Sequence, residues 1–308
     1  MGGFIVLTRR SFIKTIAVGG VGLTAVPSFA MKQGDLEKLV ILHTNDLHCR
    51  LEPFPVTDPK YGGRGGMNRI AAYVKKMREI EPDLLLFDSG DFSQGTPYFN
   101  FFKSEVILRL MSEMGYNAST VGNHEFDNGV SGLAEGLKFA NFPIVSSNYD
   151  FSETPLSGMV SKNLVFERKG IRVGVYGIDI QLDGLVDPSK SGRTKYLDPV
   201  ETALEQEEHL KQHEKCDLVI CLSHLGFEYE TDKVSDVILA AKTRFTDLIL
   251  GGHTHTFLEE PKDFPNADNK QVIINQAGWA ALMVGQIEFY MRRNRHSFFN
   301  ISANRNIS

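Results

Sequence analysis

Leu39-Val40-Ile41-Leu42-His43-Thr44-Asn45-Asp46-Leu47-His48 is the stretch on which the reading of this chain turns. A short apolar run reads as a buried strand, and it ends at once in two metal-capable side chains, Asp46 and His48. The arrangement recurs four times. Gly90-Asp91 follows a strand pattern over residues 83–88, and Gly122-Asn123-His124-Glu125 follows one over 119–121. Ser223-His224 follows residues 218–222, and Gly251-Gly252-His253-Thr254-His255 follows 248–250. Any one of these, alone, is an ordinary turn or a hydrogen-bonded histidine. Their shared position is the informative feature, because loops at the carboxyl ends of neighbouring strands converge on one crevice. A crevice lined by several imidazoles and a few carboxylates suits Zn, Mn, Fe or Co and disfavours Ca. The five segments offer more donors than one tetrahedral ion needs, so two divalent ions are expected.

Outward from these segments the chain alternates strand and helix. Apolar residues at Ile70, Tyr73, Val74, Met77 and Ile80 give a helical period over 67–80, and Pro82 closes it. Further helices are expected over 105–114, 129–140, 199–214 and 234–242. Residues 143–146 read as extended, and 164–167 with 171–178 as a strand pair turned at Lys169-Gly170. Strands over 271–275 and 284–290 complete the pattern. Parallel crossovers together with antiparallel pairs point to a layered α/β domain rather than a purely doubly wound sheet. Residues 182–196 read as a rim loop, and the polar tail after Arg292 as loosely ordered.

Composition sets bounds. The 308 residues are 42 % hydrophobic and 23 % charged, with a net charge of −5. There is no basic stripe, so a nucleic-acid polymer is not an expected partner. Cys216 and Cys221 are separated by strand residues that hold them about 16 Å apart, too far for a disulfide. With Cys49 they read as free thiols. Residues 8–14, Thr-Arg-Arg-Ser-Phe-Ile-Lys, match the twin-arginine export pattern. The apolar stretch that follows is shorter than the roughly 20 residues of a membrane span. Small residues end it at Ala30, where cleavage is expected. The domain reading is therefore a signal peptide over 1–30 and a single catalytic domain over 31–308, with its core over about 38–291. The mature protein is expected in the periplasm or outside the cell, without a stable membrane anchor.

In order, the segments spell D-x-H, G-D, G-N-H-E, H and G-H-x-H, which resembles the calcineurin-like metallophosphoesterases. The spellings His43-Thr44-Asn45-Asp46-Leu47-His48 and Gly122-Asn123-His124-Glu125-Phe126-Asp127 resemble the 5′-nucleotidase and UDP-sugar hydrolase branch. The resemblance implies a four-layer α-β-β-α sandwich, in which two mixed sheets lie between helical layers (the metallo-dependent phosphatase fold). It implies that Asp46, His48 and His255 hold one ion, that Asn123, His224 and His253 hold another, and that Asp91 bridges them. It makes His124 a catalytic acid or charge stabiliser oriented by Asp127. The implied reaction is hydrolysis of a small phosphoester, foremost a nucleotide, by in-line attack of a hydroxide generated at the metals.

Some residues stay open. Arg64, in the run Gly62-Gly63-Arg64-Gly65-Gly66, either reaches a phosphate or is a solvated loop arginine, and Asn123 is a second substrate-contact candidate. Cys49 stands where the family more often has glycine, as a metal-proximal thiol or a tolerated small side chain. Full-length relatives carry a C-terminal domain that recognises the nucleoside, and this chain ends soon after its last expected strand. Either it acts alone or a separate polypeptide supplies that domain. Two alternatives remain: an exported thiosulfohydrolase-like enzyme, and a non-catalytic metal- or partner-binding module.

Overall fold

A computed structural model describes residues 36–292 and 295–306. The twin-arginine segment and the Ala30 cleavage point lie outside the described residues. In chain order the strands are β1 (Leu36–Thr44), β2 (Leu85–Asp88), β3 (Ala118–Ser119), β4 (Ile144–Val145), β5 (Tyr149–Asp150), β6 (Val160–Ser161), β7 (Asn163–Arg168), β8 (Ile171–Ile178), β9 (Lys195–Tyr196), β10 (Leu218–Ser223), β11 (Leu248–Leu250), β12 (Lys262–Pro265), β13 (Gln271–Asn275), β14 (Met283–Arg292) and β15 (Arg295–Asn306). One sheet has the order β15-β14-β1-β2-β3-β4-β6, and the other β12-β13-β11-β10-β8-β7. Both are mixed: β1, β2, β3, β4 and β6 run parallel, as do β8, β10, β11 and β13, with antiparallel strands at the margins.

Strand alternation builds the layers. On β1, Leu39 and Ile41 face one way and pack with Phe87, Val173, Ile220, Leu250 and Ile273 between the two sheets. Val40 and Leu42 face the other way, onto the helices Met67–Ile80, Glu105–Met114 and Gly129–Leu137. Across the second sheet, Val219, Cys221, Ile249 and Ile274 meet the helices Pro199–Glu208 and Asp236–Lys242. The expected four-layer sandwich is the architecture found.

Two helices keep their expected bounds because their stop signals are local. Met67–Ile80 ends before Pro82, and Glu105–Met114 ends at Gly115, whose φ of 73° is the left-handed cap that glycine adopts freely. Other expectations are corrected. The helix expected over 199–214 becomes α-helix over Pro199–Glu208 and then a wider π-type turn over His209–His213. The rim segment carries a short helix, Pro188–Ser191, and β9, which pairs with β5. Part of the tail expected to be loosely ordered forms a strand, residues 295–306: β15 pairs antiparallel with β14 along nearly its whole length and satisfies backbone groups that β14 would otherwise leave open. All three cysteines are free and buried.

Candidate metal centre

The loops that follow β1, β2 and β3 of one sheet meet those that follow β10, β11 and β13 of the other. All the expected ion-holding residues except Asn123 fall into two clusters, Asp46–His48–His255 and Asp91–His224–His253. Within each cluster the ligand atoms lie inside 4.8 Å of one another. Nε2 of His48 is 3.0 Å from Nε2 of His255, and Oδ1 of Asp46 is 3.3 Å from that same His255 nitrogen. In the second cluster, Nε2 of His224 is 3.0 Å from Oδ2 of Asp91. Oδ1 of Asn123 is 2.9 Å from Nδ1 of His253, which brings Asn123 to the second cluster as well. The imidazoles of His224 and His253 stand edge to face at 5.3 Å, as do those of His48 and His124.

The backbone is bent hard to achieve this. Asp46, His48, Asp91, His253 and His255 all have φ between 47° and 70°, in the left-handed region that side chains other than glycine rarely occupy. Such strain persists where the surroundings over-determine it, and it gathers at functional sites. Close approach also needs glycine. A Cβ on Gly122 would fall 2.6 Å from Nε2 of His224, and one on Gly252 would fall 2.8 Å from Nδ1 of the same ring.

Buried hydrogen bonds hold the loops. Glu125 accepts from the backbone N–H groups of Asp91 (2.8 Å), Ser93 (2.9 Å) and Gly122 (2.6 Å), which ties the loop after β2 to the loop after β3. The backbone N–H of His124 donates to Oδ1 of Asp91 at 2.8 Å. Asn45 bonds Gly278 O and Ala277 N, and Gln276 donates to Gly252 O, so the loop after β13 joins the site. The sequence reading gave Glu125, Asn45 and Gln276 no role. Glu125 lay inside a motif, but its three donors come from two separate loops and left no local signal.

Electrostatics favour ion binding. Burial depresses the pKa values of His48 and His253, the latter to about 4, so both imidazoles stay neutral with a lone pair to give. His224 is different: burial opposes its charge, but Asp91, with Asp46 and the Ser89 carbonyl, raises its pKa well above the ordinary value. Asp91 is held well below the carboxylate range by His224 despite its own burial. Yet Nε2 of His224, wholly buried, has no well-formed hydrogen bond, while Nδ1 meets Ser89 O at 2.6 Å. An orphaned nitrogen aimed at a carboxylate, with its other nitrogen fixed by a carbonyl, is what a ligating imidazole requires. The residues present therefore fit a pair of divalent ions.

Beside the clusters, Nδ1 of His124 lies 2.8 Å from Oδ2 of Asp127. That bond, the largest cause, raises the His124 pKa to about 9. Arg64 sits in the loop that also carries Tyr61, and its guanidinium makes no ion pair among the described residues. Cys49 is wholly buried in the helix-side core, and burial pushes its thiol up to about 11, which suits packing and not reactivity. Among the described residues no helix is long and apolar enough to cross a membrane.

Residues 39–257 match the calcineurin-like phosphoesterase family. The chain is 37 % identical over 230 residues to a human 5′-nucleotidase, covering 72 % of this chain and 38 % of that protein. It is 32 % identical over 282 residues to an apyrase of Tabanus yao, covering 84 % of this chain and 49 % of that one. The fold superposes on a 5′-nucleotidase precursor from Thermus thermophilus with a TM-score of 0.75 at 29 % identity, covering 87 % of this chain and 55 % of that one. The chain thus spans about half the length, or less, of the curated relatives it matches.

Proposed function

This chain belongs to the calcineurin-like phosphoesterase family, and from that premise we propose that it hydrolyses small phosphoesters, foremost nucleotides, at the paired cluster where the loops of its two sheets meet. The observation that carries the reading is the pairing itself: two three-residue donor sets, brought together by opposite sheets, with His124 and Asp127 beside them. Asp46, His48 and His255 would hold one ion; Asn123, His224 and His253 would hold the other, and Asp91 would serve both. When bound, such a pair supplies charge neutralisation for the phosphoryl oxygens and acidifies a water near neutral pH.

The chain's own residues account for the rest. Phosphoryl transfer asks chiefly for positioning and charge stabilisation. Asp127 fixes the His124 ring through Nδ1 and keeps it protonated at neutral pH, which leaves the Nε2 proton for the departing ester oxygen. Once that proton is given, the leaving group departs as an alcohol and His124 is neutral. Asn123 and Arg64 are the groups we assign to the phosphate, as hydrogen-bond and charge partners. Relatives named as nucleotidases favour phosphate over the thiosulfohydrolase alternative. The complete donor set argues against a module that has lost its chemistry. Arg9 and Arg10, with the apolar stretch behind them, support export by the twin-arginine route.

The test is phosphate release by the purified protein reconstituted with Mn, Zn or Co. The substrates are AMP, UDP-glucose, a 2′,3′-cyclic nucleotide and bis-p-nitrophenyl phosphate. Metal-dependent turnover of at least one supports the reading. A chain that binds two metal equivalents yet turns over none, even with a C-terminal-domain partner supplied, overturns it.

A further inference from the structure

The chain has a single tryptophan. Trp279 lies in the loop after β13, and its indole is stacked on the imidazole of His255 with the planes 1° apart and the ring centroids 5.2 Å apart. It also meets His48 edge to face at 6.2 Å. The loop is anchored on both sides of the first cluster. Ala280 N donates to Asp46 O at 2.7 Å, and Gly278 N donates to Thr256 O, next to His255, at 3.0 Å. Behind the indole, Phe54 and Tyr61 pack edge-on at 5.8 and 6.2 Å, so the ring is clamped.

The stack matters because of what His255 lacks. A ligating imidazole is normally aimed by a hydrogen bond from its other nitrogen. His224 has one, to Ser89 O. His255 presents Nε2 to His48 and Asp46, but Nδ1 has no acceptor among the described residues. Its side chain is 37 % exposed, against 9 % for His48 and 0 % for His224, so neither a tight cavity nor a hydrogen bond at Nδ1 fixes the ring. A flat aromatic partner restricts the torsion that would swing Nε2 away.

We infer that Trp279 is a positioning residue for the ion held by Asp46, His48 and His255: its indole keeps the His255 imidazole turned toward the other two ligands. The inference rests on the proposed ion assignment, and it predicts that loss of the flat ring weakens one ion and not the other. The experiment titrates the full chain, stripped with chelator, with Mn²⁺ alone, and counts ions bound by the wild type and by His255→Ala, Trp279→Phe and Trp279→Leu. The expected result is two ions for the wild type and one for His255→Ala. Trp279→Leu should bind one ion about tenfold more weakly, the low end for loss of a supporting partner, with the affinity of the other ion unchanged. Trp279→Phe should stay within about twofold of wild type. A wild type that binds fewer than two ions sinks the underlying assignment and the inference with it. A wild type that binds two, with Trp279→Leu indistinguishable from it, weakened equally at both ions, or matched in its loss by Trp279→Phe, overturns the inference alone.

Discussion

Glu125 offers the sharpest test of how the centre is assembled. Its side chain is wholly buried, and its two oxygens receive three backbone N–H groups from Asp91, Ser93 and Gly122. Glu125→Ala removes every acceptor. A buried donor without a partner costs about 1–3 kcal/mol, so three cost about 3–9 kcal/mol. Part of this is returned, because burial and the nearby Asp91 already push the Glu125 carboxyl upward, and its removal relieves that cost. A net loss of about 3–6 kcal/mol is expected, a large share of the roughly 5–15 kcal/mol that holds a domain together. Glu125→Gln is the finer probe. Its amide oxygen can replace Oε2 and keep the bonds from Asp91 and Gly122, while its NH₂ meets the Ser93 N–H donor to donor. One partner is lost, at about 1–3 kcal/mol. Urea unfolding at pH 8 in chelator measures both, and Mn²⁺ titration follows the second ion, which should weaken by about tenfold or more in the Gln variant. If Glu125→Ala lies within about 1 kcal/mol of wild type, or the Gln variant holds both ions normally, the carboxylate does not bind the two loops together as described.

Further outcomes follow from the same geometry. Asp91→Ala should lose both ions and all activity; metal analysis that still finds two equivalents would show that Asp91 does not serve both. His124→Asn should lower kcat by about 10²–10⁴-fold with metal content retained, and unchanged turnover would remove His124 from the mechanism. Because the Asp127 bond is the largest cause of the raised His124 pKa, activity that depends on the imidazolium should fall as pH rises through about 9, and Asp127→Asn should move that fall to lower pH; a pH–rate profile left in place would refute the pairing. Burial raises Asp88 and Asp236 to about 8 and Asp179 to about 7. The folded chain then keeps protons that the unfolded chain has released, so this contribution is full below about pH 4 and is lost as pH rises through 7–8. Each proton retained in this way contributes a loss of about 3 kcal/mol between pH 5 and pH 7. The depressed His48 and His253 act in the opposite sense over the same range, so the test is the difference between variants: in chelator, Asp88→Asn should lose less stability from pH 5 to pH 7 than the wild type by about the amount of one retained proton, and an unchanged difference would contradict the assignment.

The strand-end segments were legible because their physics is local. A strand of Leu39 to Leu42 needs only its own side chains to declare itself, and an Asp or His one or two residues past its end is carried wherever that strand goes. The helix over Met67–Ile80 was readable for the same reason, since its period and its stop are in adjacent residues. Elements whose existence depends on a distant partner were not. The tail forms β15 only because β14 offers an open edge, and β12 exists because β13 does. The helix Pro97–Phe102 is an aromatic run with no period to reveal it.

The sequence by itself determined the fold class, the order of the five segments and the residue types that suit divalent ions, because each follows from short-range pattern and side-chain chemistry. Only the tertiary structure decided which donor faces which. Asp46 meets His255 across 209 positions of chain, and His224 meets Asp91 across 133, as the two sheets stack and bring their parallel strand ends to one line. Trp279, Asn45, Gln276 and Glu125 gained their places in the same way. Their partners lie on other loops, and contact between loops is set by the packing of whole sheets, which no local stretch of sequence encodes.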